Sequence, residues 1–153
     1  MASSSFDYVL YVRASPDEVW EALTNAEQAR RYWFDASQEC SWLPDSPWEM
    51  KGPDGRLVNS GRVLTAERPK RLELSWRNEL KPELKEEGYS RVTFDLAAMG
   101  TATAVTLAHR ISKDSSKLIA DVAGGWPLIL SSLKSALETG SPLQETTRWP
   151  DVL

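Results

Sequence analysis

The feature that most narrows the fold of this sequence is a change of hydrophobic period near residue 115. Before it, apolar residues recur at every second position in one short run after another. After it, Leu118, Val122, Trp126, Ile129, Leu130, Leu133 and Leu137 form a single helical stripe that runs to about Glu138. A helix with one long apolar stripe must bury it against another layer. The preceding strands supply that layer, so the sheet is expected to wrap around this helix. Ser115 or Ser116 starts the helix, Gly140 ends it, and Pro142 forbids its continuation. Gly124, Gly125 and Pro127 lie inside it and are expected to kink or loosen it.

The strand runs are short and bounded by turn residues. Residues 6–13 carry Phe6, Tyr8, Leu10 and Val12 on one face and Val9 and Tyr11 on the other, which predicts partial cover on both sides. Ser15-Pro16-Asp17-Glu18 is a helix start leading to about Thr24, and a second short helix follows over 26–32. Alternation then returns around Gln38, Cys40 and Trp42, and again where Trp48 and Met50 oppose Glu49 and Lys51. Residues 57–66 form the next strand, with Gly61 as a bulge or close-approach point. Residues 70–77 alternate most cleanly, Leu72, Leu74 and Trp76 against Arg71, Glu73, Ser75 and Arg77. Residues 79–88 read as an exposed charged loop with room for a helical turn, and 89–98 with 101–111 as a hairpin about Met99-Gly100. The order predicts an α+β domain. It has a curved antiparallel sheet of six to seven strands, two short helices after the first strand, and one long C-terminal helix. Residues 1–140 make a single domain, and 141–153 lack periodicity and read as a tail.

Composition restricts function. With net charge −4 and no basic stripe, the chain is not expected to bind nucleic acid. A lone cysteine, Cys40, allows no internal disulfide and suits a reducing, cytoplasmic setting. The N-terminus has no signal-peptide pattern, and no apolar run approaches the ~20 residues of a membrane span, so no membrane insertion is expected. Cys40 and His109 are too few for a soft metal site, and neither phosphate-loop spacing occurs, so no metal, nucleotide or other cofactor is expected. Seven tryptophans are more than a core of this size readily holds, which suggests exposed rings or the wall of a concave surface.

Several segments together resemble the SRPBCC superfamily, also called START or Bet v 1-like. They are PDEVWEALT (16–24), RYWF (31–34), SPWEM (46–50), GRVLTAERPKRLELSW (61–76), SRVTFDL (90–96) and GGWPLILSSLKSALETG (124–140). Within that superfamily the chain is similar to the branch named after the C-terminal domain of the activator of heat-shock protein 90 ATPase. The resemblance covers about residues 6–140 and implies a helix-grip fold. It also implies that the glycines of GGWP let the helix approach the sheet, with Trp126 facing a cavity.

The tryptophans Trp33, Trp42, Trp48, Trp76 and Trp126 come from different elements and are placed on the concave side. Met50, Phe94, His109 and Leu130 share those inward faces, which gives a candidate ligand cavity. His109, the sole histidine, is weighed as a cavity-facing acid–base group against a histidine held by a backbone carbonyl or solvent. Cys40 has no base beside it in sequence and reads as an inert thiol. Arg13, Arg62, Arg77, Arg91 and Arg110 read as charges that solvate the convex face, with anchorage of an anionic headgroup as the alternative. The expected function is binding or carriage of a small hydrophobic or aromatic molecule. A protein-interaction module, as a homodimer or with a chaperone partner, and a cyclase- or hydrolase-like enzyme stay open beside it. No catalytic residue is assigned.

Overall fold

A computed structural model describes residues 2–150. The strands are β1 (Ser4–Val12), β2 (Ser37–Glu39), β3 (Pro47–Lys51), β4 (Leu57–Glu67), β5 (Arg71–Asn78), β6 (Ser90–Met99) and β7 (Ala102–Ile111). They form one antiparallel seven-stranded sheet in the order β1-β7-β6-β5-β4-β3-β2. The helices are α1 (Pro16–Thr24), α2 (Ala26–Tyr32), α3 (Pro82–Lys85) and α4 (Lys117–Thr139). The α+β helix-grip architecture expected from the sequence is the one observed, with α4 lying across the concave face beside β1 and β7 and against α1 and α2.

Local chemistry sets the helix ends. Ser15 Oγ accepts from the Glu18 N–H while the Glu18 carboxylate accepts from the Ser15 N–H, so two otherwise unpaired amides are satisfied together. Ser116 caps α4 by accepting from the Ile119 N–H. Glu87 reinforces that end: its carboxylate accepts from Ser116 Oγ at 2.5 Å, Lys117 N at 2.8 Å and Leu118 N at 3.3 Å. Burial opposes its ionised form, but these donors outweigh it and hold the Glu87 pKa below the ordinary carboxylate value. Gly140, at φ 85°, closes α4 in the left-handed region.

Several expectations change on folding. Only one face of β1 is covered: Leu10 and Val12 are buried, whereas Val9 and Tyr11 are each 51% exposed. The strand sits at the sheet edge with α4 on its inner side alone, so the outward apolar pair has no layer to meet. Helix α4 runs unbroken through Gly124, Gly125 and Pro127. A Cβ built at either glycine meets no atom within 4 Å, so these glycines do not serve close approach to the sheet. The 79–88 segment does contain a helical turn, α3, but it is not wholly exposed. Leu84 packs with Ile111, Leu118 and Ile119 in a small second core. The tail is docked as far as it is described: Thr146 is buried, its Oγ1 lies 2.6 Å from Ser132 Oγ, and its carbonyl accepts from the Phe34 N–H. Residues 151–153 of that tail lie outside the described residues.

Gly61 is a close-approach glycine, as the sequence suggested. A Cβ there would lie 1.8 Å from the Ser75 carbonyl oxygen, an overlap that only backbone movement of β4 against β5 can relieve. Gly61→Ala is therefore expected to lower unfolding free energy by roughly 2 kcal/mol. Urea melts of the two proteins check this, and equal midpoints would refute it.

Candidate functional site

The sheet's concave face carries a nest of rings centred on Trp76, the inward residue near the end of β5. Trp48 from β3 lies 4.7 Å from it, Trp126 from α4 5.5 Å, His109 from β7 5.7 Å and Trp33 after α2 6.1 Å, between ring centroids. Phe94 from β6 meets Trp126 edge-on at 5.7 Å. Stacked and edge-to-face pairs at such distances are favourable arrangements of aromatic quadrupoles. Trp20, Trp33, Trp48, Trp76 and Trp126 are all buried in one core, and Trp33, Trp48, Trp76 and Trp126 pack ring against ring.

Polar atoms in the nest are paired with near-complete economy. Trp126 Nε1 donates to His109 Nδ1 at 3.0 Å, and Ser90 Oγ lies 2.7 Å from His109 Nε2 and donates to the Trp76 carbonyl at 3.0 Å. Indole N–H can only donate, so His109 Nδ1 is the acceptor and the ring proton sits on Nε2, where Ser90 Oγ receives it. Both nitrogens are thus used internally. Burial pushes the His109 pKa down to about 3, which keeps the ring neutral at ordinary pH. A neutral, fully paired histidine is a structural member of the nest and has no nitrogen free for acid–base work. Its hydrogen-bond partners are Trp126 and Ser90, not the lone backbone carbonyl or solvent weighed from sequence. Trp48 Nε1 donates to Gln38 Oε1 at 2.8 Å. Trp76 Nε1 alone is buried with no hydrogen-bond partner among the described residues.

Between this nest and α4 lies a half-open cleft of about 270 Å³. Four of the nine residues proposed from sequence line it: Trp33, Met50, Trp76 and Trp126. Trp48, Phe94, His109 and Leu130 stand behind the wall as buried support, and Trp42 packs at the margin of the core. Trp42 leaves the expected strand parity because β2 ends at Glu39. Its backbone takes a left-handed φ of 60°, and its N–H donates to Cys40 Sγ at 3.2 Å. Among the described residues, Cys40 has Ser46 and this amide as polar partners.

The cleft also holds residues that sequence reasoning missed. Phe34, at φ 52°, is held in its strained turn by its N–H bond to the docked tail. Gly125 contributes bare backbone from α4, and Trp149 brings a ring from the tail. Lys81 and Asp121 pair across the mouth at 3.3 Å. Asn78 sets that rim by accepting from the Leu80 and Lys81 amides, each at 2.9 Å. Glu79 pins the rim from behind, taking Ser60 Oγ and Arg77 Nε at 2.6 Å and Lys85 Nζ at 3.2 Å. Burial raises its pKa, but these donors leave the net shift downward. The RYWF cluster signalled Phe34; nothing in the aperiodic tail signalled Trp149.

Of the arginines named from sequence, Arg77 pairs with Glu79, Arg91 with Glu73 and Arg110 with Asp7, while the Arg62 guanidinium donates to the Asp45 carbonyl. No group of three His, Cys, Asp or Glu is arranged to hold a metal, and no helix is long and apolar enough to cross a membrane, among the described residues.

The family described as "Activator of Hsp90 ATPase homolog 1-like protein" matches residues 13–138. No curated protein matches the chain. Among solved structures, CalU16 from Micromonospora echinospora is 25% identical over 90% of this chain and 78% of its own, with a TM-score of 0.72. ChR145 from Cytophaga hutchinsonii is 26% identical, covering 90% and 95%, with a TM-score of 0.71. The Aha1 dimer from Colwellia psychrerythraea is 19% identical, covering 90% and 98%, with a TM-score of 0.73, and speaks for the fold alone.

Proposed function

The chain belongs to the Activator of Hsp90 ATPase homolog 1-like family, and from that membership and its cleft we propose that it binds a small hydrophobic or aromatic molecule between the sheet and α4. The observation that carries this reading is the wall of the cleft. Trp33, Trp76, Trp126 and Trp149 converge on it from four separate segments, while Gly125 leaves bare backbone on the α4 side of the wall. An apolar concavity with a few polar groups at its rim is the usual form of a small-molecule site. The family description by itself carries no activity, because this kind of fold serves many functions.

A hydrophobic fluorescent probe is expected to bind at one saturable site and to quench tryptophan emission. Gly125→Leu is the discriminating variant. A Cβ at this position meets no atom within 4 Å, and leucine favours a helix interior over glycine by close to 1 kcal/mol. Probe affinity should fall at least tenfold while thermal stability holds or rises. Equal probe binding by the variant and wild type would remove the cleft as the site.

A second reading, self-association, is favoured by one surface. Val9 and Tyr11 expose neighbouring apolar side chains on the outward face of the edge strand β1. The strand's own hydrogen-bonding edge is partly occupied, since Lys134 Nζ donates to the Tyr11 carbonyl at 2.6 Å. A second copy would therefore meet the face of β1 rather than extend the sheet.

A further inference from the structure

We propose that the molecule held in the cleft carries a neutral amide edge, an N–H beside a carbonyl as in a lactam or carboxamide, and that Asn59 and Asn78 read it. The proposal rests on the ligand-binding reading of the cleft and names the chemistry that the site selects. Asn59 on β4 and Asn78 on β5 both line the cleft and oppose each other in the sheet register. Met50, also in the wall, opposes Asn59 from β3, so the three make one cross-strand row. Side chains opposed in this way share a face, with Cβ atoms about 4.5–5.5 Å apart. Local contacts fix which end of each amide is left over. Asn78 Oδ1 accepts from the Leu80 and Lys81 amides, so its Nδ2 group is the free end. Asn59 Nδ2 points at the Met50 sulfur at 3.6 Å, and a thioether can only accept, so Oδ1 is the free end there. Neither free atom has a hydrogen-bond partner among the described residues, and neither is sealed from solvent, since Trp76 Nε1 is the one side-chain polar atom there that is both buried and unpaired. Asn59 is only 7% exposed and lines the cleft, so its oxygen is an acceptor set into the wall.

The charged groups of the wall neutralise each other, because Lys81 is paired with Asp121 at the mouth. Selection therefore falls to two neutral amides that present one acceptor and one donor side by side. A carboxylate or phosphate would be desolvated against the Asn59 oxygen, and an ammonium against the Asn78 amino group, each without a free counter-charge. A purely apolar ligand would cover both amide ends and leave them unpaired, at a cost that a matching polar edge removes. That edge must donate to Asn59 and accept from Asn78 over a short span, which a lactam or carboxamide does with adjacent N–H and C=O. The tryptophans take the flat apolar remainder of such a molecule.

Three bicyclic probes of one frame test this: naphthalene, 2-quinolone and N-methyl-2-quinolone, which offer neither group, both groups, and the carbonyl alone. Each is titrated against wild type, Asn59→Leu and Asn78→Asp. The preference for 2-quinolone over its N-methyl form is expected to be about three- to tenfold larger in wild type than in Asn59→Leu, as one neutral hydrogen bond allows. Asn78→Asp keeps an oxygen for the Leu80 and Lys81 amides and removes only the amino group. It should weaken both quinolones at least threefold relative to naphthalene. A direct readout needs no variant. In ¹⁵N-labelled wild type, the Asn78 side-chain amide protons should move downfield with either quinolone and not with naphthalene. If the probes bind with the same preferences in all three proteins and no such shift appears, the amide pair is overturned and the cleft reading stands. If no probe binds wild type, the cleft reading falls and takes this inference with it.

Discussion

Trp126→Ala is expected to cost about 4 kcal/mol or more, a large part of the ~5–15 kcal/mol that holds a domain together. Two losses combine. The ring sits among Trp33 at 5.3 Å, Trp76 at 5.5 Å and Phe94 at 5.7 Å, so its removal opens a cavity on the inner wall of the cleft. It also strips His109 Nδ1 of the Trp126 N–H, leaving a buried acceptor unpaired among the described residues. Trp126→Phe separates the two effects, because it keeps most of the ring contact and removes only the N–H. That variant should lose about 1–2 kcal/mol. Chemical denaturation of the three proteins measures both steps. Trp126→Ala within about 1 kcal/mol of wild type would show that the ring nest is not a unit of stability. The size of this effect also explains why Gly125, not Trp126, is the position at which to probe the cleft.

The difference between Trp126 and Gly125 marks how far the sequence could be read. Strand alternation around Trp76, the helical stripe through Leu130 and the cap at Ser15 are local patterns, and local patterns predicted the sheet, the helices and the fold class. Sidedness beyond the single element was less legible. Residues 6–13 look two-faced in isolation, and only the position of β1 at the sheet edge decides that Val9 and Tyr11 face outward. Parity assigned Trp48, Phe94 and His109 to the concave side, but it cannot tell a wall from the layer behind it. That depends on which rings stack on Trp76 and which are left at the surface of the stack. Trp149 was illegible for another reason: its place comes from contacts of Thr146 with Ser132 and Phe34, which are distant in sequence and have no periodicity. The glycines of α4 were misread because glycine in a helix has two uses, close approach or empty space, and only the absence of a neighbour within 4 Å separates them.

Between pH 7 and pH 5 the protein is expected to lose about 2 kcal/mol of stability, most of it through His109. The sign follows from where the proton binds. In the unfolded chain the imidazole titrates near its ordinary value of 6.5, whereas in the folded protein burial has pushed it down to about 3. Below 6.5 the unfolded state takes up a proton that the folded state refuses, so falling pH favours unfolding until the folded value is reached. Stability is therefore complete above about pH 7 and declines toward pH 3 with a slope near 1.4 kcal/mol per pH unit. The carboxylates with lowered pKa, Glu79 and Glu87, act in the same direction but mainly below their ordinary value of 4.5. As the chain has one histidine, the interval from pH 6.5 to 5 reports chiefly on His109. Urea unfolding at pH 7, 6 and 5 gives the slope directly. His109→Gln supplies the control: its amide offers one acceptor for Trp126 and one donor for Ser90 but carries no titrating group. The variant should be less stable at pH 7 and nearly flat across the interval. A wild-type slope close to zero there would mean that His109 accepts a proton in the folded state, which would break the chain from Trp126 through His109 to Ser90 and return the ring to consideration as an acid–base group in the cleft.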